Sequence, residues 1–117
     1  MLSNKKNNSI VGSSGEEKAC EYLINNGYKI LRRNFKTKIG EIDIIAKIDN
    51  VTVFVEVKCR QSAMFGLPRE AVTPYKQRKI RQVATQYLKN HDGIYTSCRF
   101  DVIDILDGEI THIENCF

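Results

Sequence analysis

Residues 40–58 read GEIDIIAKIDNVTVFVEVK, and this stretch decides the fold of the chain. On either side of Asp49-Asn50 the side chains alternate with a period of two, which is typical of β-strands. Asp49-Asn50 has the composition of a two-residue turn that joins two antiparallel strands. The sequence therefore predicts a β-hairpin over these residues.

The turn also sets the register of the hairpin. If Asp49-Asn50 is the two-residue turn, Ile48 pairs with Val51. Counting outward from that pair places Asp43 directly opposite Glu56. A slip of one residue would send every side chain to the other face, so this juxtaposition depends on the turn.

Two carboxylates that face each other on neighbouring strands destabilise the sheet unless a cation lies between them. Mg²⁺, or Mn²⁺ in its place, is the candidate, because it binds one or two carboxylates and keeps several waters. Lys58 lies on the same face as Glu56 and two residues along, beside such an ion. The alternative is a solvated salt-bridge ladder in which Glu41 lies opposite Lys58. The apolar neighbours of Asp43 leave little polar surface, which favours the metal site.

Helices are predicted before and after the hairpin. A capping-box pattern from Ser13 to Glu16 begins the first helix, and Gly27 stands where its C-cap belongs. Thr73-Pro74 has the pattern of an N-cap followed by proline, so a second helix is predicted to run to about Asn90. Strands are predicted at residues 28–35, 40–48, 51–58, 98–106 and 109–117. The order αβββαββ indicates an α/β fold, with a small mixed β-sheet flanked by helices.

Length and composition fit one domain. The chain has 117 residues, of which 42% are hydrophobic and 27% charged, as in ordinary globular proteins. Residues 1–11 are polar and are predicted to form a flexible N-terminal arm, and residues 12–117 a single domain. The chain has no run of about 18 apolar residues and no apolar signal segment, so it is expected to be cytoplasmic and to have no membrane partner.

The charge balance favours a polyanionic partner. Lys and Arg number 18 against 14 Asp and Glu, which gives a net charge of +4. Several polar and basic side chains are predicted to follow a nucleic-acid backbone: Lys76, Gln77, Arg78, Arg60 and Arg33. The alternative is that these residues form a solvated surface. His91 and His112 stand alone and are interpreted as structural or surface residues. The four cysteines form no C-x-x-C pair and are interpreted as plain reduced thiols.

Glu16 is an acid on the buried side of the first predicted helix. It precedes the inward residues Ala19, Cys20 and Leu23 by three, four and seven positions. A capping-box role explains its position without any function, whereas an inward carboxylate would reach the site on the sheet. One rotamer cannot serve both roles, and the sequence leaves the two open.

The spacing of the acids resembles the signature of the restriction-endonuclease-like (PD-(D/E)xK) nuclease superfamily. The motif here is IGEIDIIA followed by FVEVKCR, with Glu-x-Lys at Glu56 and Lys58, 13 positions after Asp43. Together with GEEKACEYL, NNGYKILRRNF, GLPREAV and HIENCF, the chain looks like a member of the small bacterial YraN-type family from about Gly12 to Phe117. That family is grouped by fold and motif with the archaeal Holliday-junction resolvases. Ile42 replaces the proline of the superfamily's name, which takes no part in the chemistry.

The resemblance implies a metal-dependent endonuclease that hydrolyses DNA phosphodiesters. By this resemblance Asp43 and Glu56 would bind the metal, Lys58 would orient or polarise the attacking water, and Glu16 would be the additional acid of the resolvase-like branch.

The resemblance and the length of the chain together favour selection of branched or junction DNA by structure. A chain this short has no spare domain for reading bases, so recognition through phosphates and shape is expected. Paired cuts at a junction need two active sites, which predicts a homodimer. The alternative is a non-catalytic nucleic-acid-binding or partner-recruiting module that keeps the fold while a larger DNA-processing protein does the chemistry.

Overall fold

The computed structural model describes residues 4–61, 72–91, 93 and 95–117, and the side chains from residue 15 onward. Within these ranges the elements follow the predicted order αβββαββ. Most of the Gly- and Pro-punctuated loop that follows Arg60 in the sequence lies outside the described residues. The bounds are α1 Asn4–Asn25, β1 Lys29–Lys36, β2 Glu41–Ile48, β3 Val51–Arg60, α2 Pro74–Asn90, β4 Cys98–Leu106 and β5 Glu109–Ile113.

The five described strands form a mixed sheet in the order β1-β2-β3-β4-β5. The pairs β1–β2, β2–β3 and β4–β5 are antiparallel, whereas β3 and β4 are parallel. Two parallel neighbours need a long crossover connection, and α2 lies within it. The predicted fold class, an α/β fold with a mixed sheet flanked by helices, is confirmed.

The two helices cover opposite faces of the sheet. Phe54 and Val55 are neighbours on β3, and their side chains belong to different hydrophobic clusters. The cluster on the α2 face includes Ile42, Phe54, Val102, Ile80, Val83, Ala84, Tyr87 and Leu88. The cluster on the α1 face includes Ala19, Cys20, Leu23, Ile44, Val55, Ile103 and Ile105.

Helix α2 begins where the sequence predicts. The Thr73 hydroxyl oxygen accepts a hydrogen bond from the Lys76 N–H at 3.2 Å, and Pro74 occupies the first turn. The apolar stripe of this helix, formed by Ile80, Val83, Ala84, Tyr87 and Leu88, is buried against the sheet. The cap and the buried stripe together fix the position of the helix on the sheet. The backbone of Tyr75 and Lys76 in the first turn is therefore fixed as well.

Helix α1 begins earlier than the sequence predicts. It starts at Asn4, so the predicted helix start at Ser13 is wrong. The polar residues before Ser13 include no proline, and most of them are compatible with a helix. The predicted end is confirmed, because Gly27 follows the helix with φ +90°. A flexible arm over residues 1–11 stays a prediction. In the described parts of the chain, neither helix combines the length and the apolar character that crossing a membrane requires.

Strand β2 is irregular at Asp43. Ile42 and Ile44 are two residues apart and would share a face in a regular strand, yet they pack in different clusters. The β1 residue opposite this point is Asn34, which has φ +53°. At Asp43 the apolar side chains of β2 therefore switch from the α2 face of the sheet to the α1 face. This point lies next to the last pair of the hairpin, Ile44 with Val55.

Candidate functional site

The hairpin has the register that the sequence predicts. Its pairs run from Ile48 with Val51 to Ile44 with Val55. The ladder stops there, and Asp43 and Glu56 are the next residues on their two strands. The two carboxylates therefore lie at the open end of the hairpin.

The Asp43 carboxylate lies between the ends of the two strands. Its Oδ2 accepts a hydrogen bond from the Val57 N–H at 2.8 Å. In a continued antiparallel ladder this N–H would bind a main-chain carbonyl of β2. The side chain thus takes the place of the next ladder bond, which orients the carboxylate toward β3.

Asp43 and Glu56 line a single cleft of about 370 Å³ next to the first turn of α2. The Glu56 side chain is only 12% exposed. The remaining walls come from the turn between β1 and β2 and from α2: Ile39, Gly40, Glu41, Tyr75, Lys76, Lys79 and Ile80.

Two neighbouring acids, Glu56 on β3 and Glu16 on α1, act on the Asp43 carboxylate. Burial raises the pKa of Asp43 to about 7, and the charge of Glu56 adds to the effect. The charge of Glu16 on α1 also raises the pKa, whereas the hydrogen bond from Val57 opposes the shift. Glu16 is therefore close enough for its charge to act on Asp43. A carboxylate whose ionisation is opposed by burial and by neighbouring acids favours a cation beside it.

Lys76 brings an ammonium group to the carboxylates. Its Nζ lies 3.4 Å from Oε2 of Glu56. The tip of this side chain therefore reaches β3 of the sheet. In the part of the chain that the structure describes, the salt bridge of Glu56 is with Lys76 and not with Lys58.

Lys58 is partly buried on β3, two residues beyond Glu56. Its neighbour in the parallel pair β3–β4 is Asp104, which is only 1% exposed. Asp104 in turn binds Arg60, with 2.7 Å between Oδ1 and Nε. The sequence interpretation did not single out Asp104. The sequence feature that could have identified Asp104 is its place as an acid within the apolar run FDVIDI of β4.

The salt-bridge ladder considered from the sequence does not form as stated. Glu41 pairs with Lys36 across β1 and β2, with 3.9 Å between Oε2 and Nζ, and both side chains are exposed. The β2–β3 ladder ends before Glu41 and Lys58 could face each other. A surface salt bridge therefore accounts for the exposed Glu41. It does not explain the partly buried Asp43 and Glu56.

Three of the residues predicted to bind nucleic acid, Lys76, Gln77 and Arg78, lie in the first turns of α2. Arg78 is exposed, and its guanidinium carbon lies 6.0 Å from the centre of the Tyr75 ring. Gln77 uses its amide Nε2 to donate a hydrogen bond to the Val72 carbonyl at 3.0 Å. Lys76 thus lines the cleft and Arg78 lies beside the Tyr75 ring, whereas Gln77 is engaged in holding the start of the helix.

Arg33 and Arg60 instead neutralise acids of the chain itself. Arg33 lies 2.8 Å from Glu17 and 3.8 Å from Glu16. Arg60 binds Asp104, and its side chain is 16% exposed. The sequence could not identify these partners, because they come from other elements. Contact of either arginine with nucleic acid stays a prediction.

The donor set fits a hard divalent cation. Across residues 4–61, 72–91, 93 and 95–117, no group of three or more His, Cys, Asp or Glu side chains is arranged to hold a metal ion. A zinc site needs three or four such ligands, so this cleft does not suit zinc. Mg²⁺ takes one or two carboxylates and completes its shell with water, which Asp43 and Glu56 can satisfy.

A second polar cluster lies on the α1 face around the buried Asp101. His112 Nε2 is 2.7 Å from its Oδ2, and the Asn115 N–H donates to Oδ1 at 2.9 Å. Burial opposes ionisation, but hydrogen bonds from His112 and Arg99 lower the pKa of Asp101. His112 also contacts the Tyr22 hydroxyl at 3.1 Å, so the cluster joins β4 and β5 to α1. This arrangement gives His112 a structural role.

The residues that form the cleft lie in a stretch of chain that a family model covers. Residues 15–105 match the model of Uncharacterised protein family UPF0102. The chain belongs to this family. The match includes Glu16, both strands of the hairpin and α2, and it confirms the resemblance to the YraN-type family.

Individual UPF0102 proteins are similar over most of the chain. The one from Caldicellulosiruptor saccharolyticus is 50% identical over 95 residues, which cover 81% of this chain and 80% of the relative. The one from Caldanaerobacter subterraneus subsp. tengcongensis is 48% identical over 120 residues, covering 97% and 98%. That of Persephonella marina is 46% identical over 108 residues, covering 92% and 93%. The activity has to be argued from the site itself.

Proposed function

We propose that this UPF0102 protein is a metal-dependent endonuclease that hydrolyses phosphodiester bonds of DNA and favours branched or junction structures. The observation that carries the proposal is the convergence of Asp43 and Glu56 in one cleft with the Lys76 ammonium at 3.4 Å. Acids that serve stability alone are usually paired with cations or exposed to water. Here two partly buried acids share one cleft, and such sites are candidates for catalysis.

Asp43 and Glu56 would hold Mg²⁺, with Mn²⁺ as the substitute. When bound, this metal supplies a Lewis acid that polarises the phosphate and lowers the pKa of a bound water. The chain contributes fixed positions for the two carboxylates. The Val57 N–H orients Asp43, and β3 carries Glu56 at a position paired with Val102 of β4.

The lysines would stabilise the negative charge that grows on the phosphate during hydrolysis. Lys76 contacts Glu56 in the absence of substrate and would turn to a phosphate oxygen when DNA binds. Lys58 would orient the attacking water. The oxygen of that water forms a bond to phosphorus while the bond from phosphorus to the sugar oxygen breaks. The departing oxygen takes up a proton, which leaves a phosphomonoester and a hydroxyl group.

Glu16 would act as an additional acid beside the metal ligands. Its charge raises the pKa of Asp43, and Arg33 lies 3.8 Å from its Oε1. The inward reading of Glu16 is favoured over the capping-box reading because α1 begins at Asn4, far before Glu16. We therefore include Glu16 in the catalytic site and assign Arg33 to its support.

A homodimer would supply the second active site that paired cuts at a branched substrate require. Selection by structure would follow from recognition through phosphates and shape, and phosphate contacts from Lys76, Arg78 and Lys79 would set the orientation. Light scattering with and without a four-way junction measures the mass. A monomer under both conditions would contradict the dimer and leave single-strand cutting as the activity.

The test is cutting of branched, flapped and linear DNA by purified protein in the presence of Mg²⁺. Glu56→Gln and Lys58→Ala should each lower the rate by about 100-fold or more, since each removes a charge at the reacting phosphate. Glu109→Gln is the matched control, because Glu109 is an exposed acid on β5. Equal cutting by wild type and Glu56→Gln would show a contaminating nuclease and contradict the proposal.

A second candidate function is a non-catalytic module that binds nucleic acid or recruits a larger DNA-processing protein. The Lys76–Glu56 ion pair favours it, because the pair partly neutralises the cleft without any metal. Calorimetry separates the two functions. The nuclease requires heat on addition of MgCl₂ that disappears in Asp43→Ala, whereas the binding module should give no heat in either protein.

A further inference from the structure

Tyr75 stands at the rim of the carboxylate cleft with its side chain in solvent. The residue is 61% exposed and lines the same cleft as Asp43 and Glu56. It lies outside the buried stripe of α2, and the hydroxyl of Thr73 already caps the helix. Neither packing nor capping therefore accounts for an aromatic ring at this position.

Ile39 presents a second exposed apolar side chain to the cleft, from the turn between β1 and β2. It is 40% exposed. The turn is fixed by hydrogen bonds from the Thr37 N–H to the Gly40 carbonyl at 2.8 Å and from the Ile39 N–H to the Thr37 hydroxyl at 3.1 Å. Gly40 lies beside α2, since a Cβ there would be in ordinary van der Waals contact with Val83 at 3.7 Å. The turn between β1 and β2, which carries Ile39, thus lies beside α2, which carries Tyr75.

Two cationic side chains lie near the Tyr75 ring. Lys79 Nζ lies 5.4 Å and the Arg78 guanidinium carbon 6.0 Å from the ring centre. Both distances are within the range at which a cation and an aromatic face attract each other. A ligand that matches this surface carries negative charges and flat aromatic groups together. Nucleic acid has that combination, because phosphates alternate with bases along the strand.

We propose that Tyr75 stacks on an unpaired base of the nucleic acid whose phosphate enters the cleft, so that the site takes single-stranded or locally unpaired DNA. This inference rests on the proposed nuclease function and names the form of its substrate. A base within a duplex is stacked on both sides and presents only its edges in the grooves. A base in a single strand or a flipped base offers its face to an aromatic side chain. Tyr75 is a specificity-determining residue in this scheme.

The test measures binding without cutting. Fluorescence anisotropy in EDTA gives the dissociation constants for a short labelled single strand and for its duplex. Tyr75→Leu should weaken binding of the single strand roughly 5- to 100-fold and change duplex binding less than about twofold, while Tyr75→Phe keeps the ring and the affinity. Tyr95→Leu is the matched control, because Tyr95 is 96% exposed and does not line the cleft.

An abasic oligonucleotide separates stacking from charge. It keeps the phosphates and lacks the bases, so wild type should bind it about as weakly as Tyr75→Leu binds the normal strand. Tyr75→Leu itself should not distinguish the two oligonucleotides. The salt dependence of binding should be the same in wild type and Tyr75→Leu, because it reports phosphate contacts. Equal affinity of wild type and Tyr75→Leu for the normal strand would overturn the stacking.

The outcomes separate this inference from the nuclease function. Cutting that Glu56→Gln abolishes, combined with unchanged single-strand affinity in Tyr75→Leu, overturns the stacking and supports the nuclease. No cutting by wild type, combined with single-strand affinity that depends on Tyr75, overturns the nuclease and supports the stacking. If Tyr75 and Ile39 dock a protein instead, Tyr75→Leu binds every oligonucleotide as wild type does, which overturns the stacking.

Discussion

Lys76 Nζ lies 3.4 Å from Glu56 Oε2, and this contact joins the first turn of α2 to the middle strand of the sheet. The ammonium offsets one negative charge in a cleft where Asp43 and Glu56 both lie and where Glu16 adds its field. Burial and the neighbouring acids raise the pKa of Asp43 to about 7, so below that pH a proton on Asp43 offsets a second charge. The lysine and the proton therefore balance the charge that the proposed metal would otherwise balance.

Lys76→Met should raise the affinity for Mg²⁺ in the absence of DNA. The ammonium competes with the metal for Glu56, and its side chain is 44% exposed, so the gain should be modest, about two- to fivefold. Calorimetric titration with MgCl₂ measures it. Lys89→Met, at the other end of α2, removes the same charge away from the cleft and serves as control. Weaker Mg²⁺ binding by Lys76→Met would contradict the competition.

The stability of the metal-free protein should fall as the pH rises toward 7. Burial, together with the charge of Glu56, raises the pKa of Asp43 from 3.8 to about 7, so the folded state holds this proton more tightly than the unfolded state. The stabilisation from the bound proton is complete below about pH 4 and is lost as the pH passes 7. Asp43→Asn carries no charge to bury and keeps an oxygen that can accept from Val57.

Asp43→Asn should therefore be more stable than wild type by about 2 to 4 kcal/mol near pH 8, with no difference near pH 4. Urea unfolding in EDTA across this pH range gives the free energies of unfolding. Glu41→Gln is the control, because Glu41 is an exposed carboxylate at the same cleft. A gain of equal size at both pH values would refute the explanation by proton binding.

Part of this site could be predicted from the sequence. The register of the hairpin follows from a two-residue turn at Asp49-Asn50, and that turn places Asp43 beside Glu56 through local geometry alone. The partner of Lys76 depends on how α2 crosses the sheet, which no local pattern specifies. A period-two pattern also could not predict that the side chains of β2 change face at Asp43. The change occurs opposite Asn34, whose backbone has a positive φ and interrupts the regular alternation. Local rules thus fix which strands meet, and packing between elements decides which side chains touch.

Mg²⁺ should stabilise the folded protein by binding to native carboxylates. At a concentration of about 100 times its dissociation constant, the gain is about 2.7 kcal/mol. Thermal unfolding should show a higher midpoint in MgCl₂ than in EDTA for wild type and no such shift for Glu56→Gln. Potassium chloride at the same ionic strength controls for screening of surface charge. An equal shift in Glu56→Gln would place the metal elsewhere.

Arg60→Gln should reduce stability more than it reduces DNA binding. Arg60 Nε lies 2.7 Å from Asp104 Oδ1, and Asp104 is 1% exposed, so the variant leaves a buried carboxylate without its cation. The expected loss is about 3 to 5 kcal/mol in the free energy of unfolding, and Asp104→Asn in the same chain should recover part of it. Arg78→Gln is the control, because Arg78 is exposed and should affect DNA affinity without changing stability. Chemical unfolding and oligonucleotide anisotropy on the same preparations give both quantities. Unchanged stability with weakened DNA binding in Arg60→Gln would make Arg60 a phosphate contact, as the sequence alone had predicted.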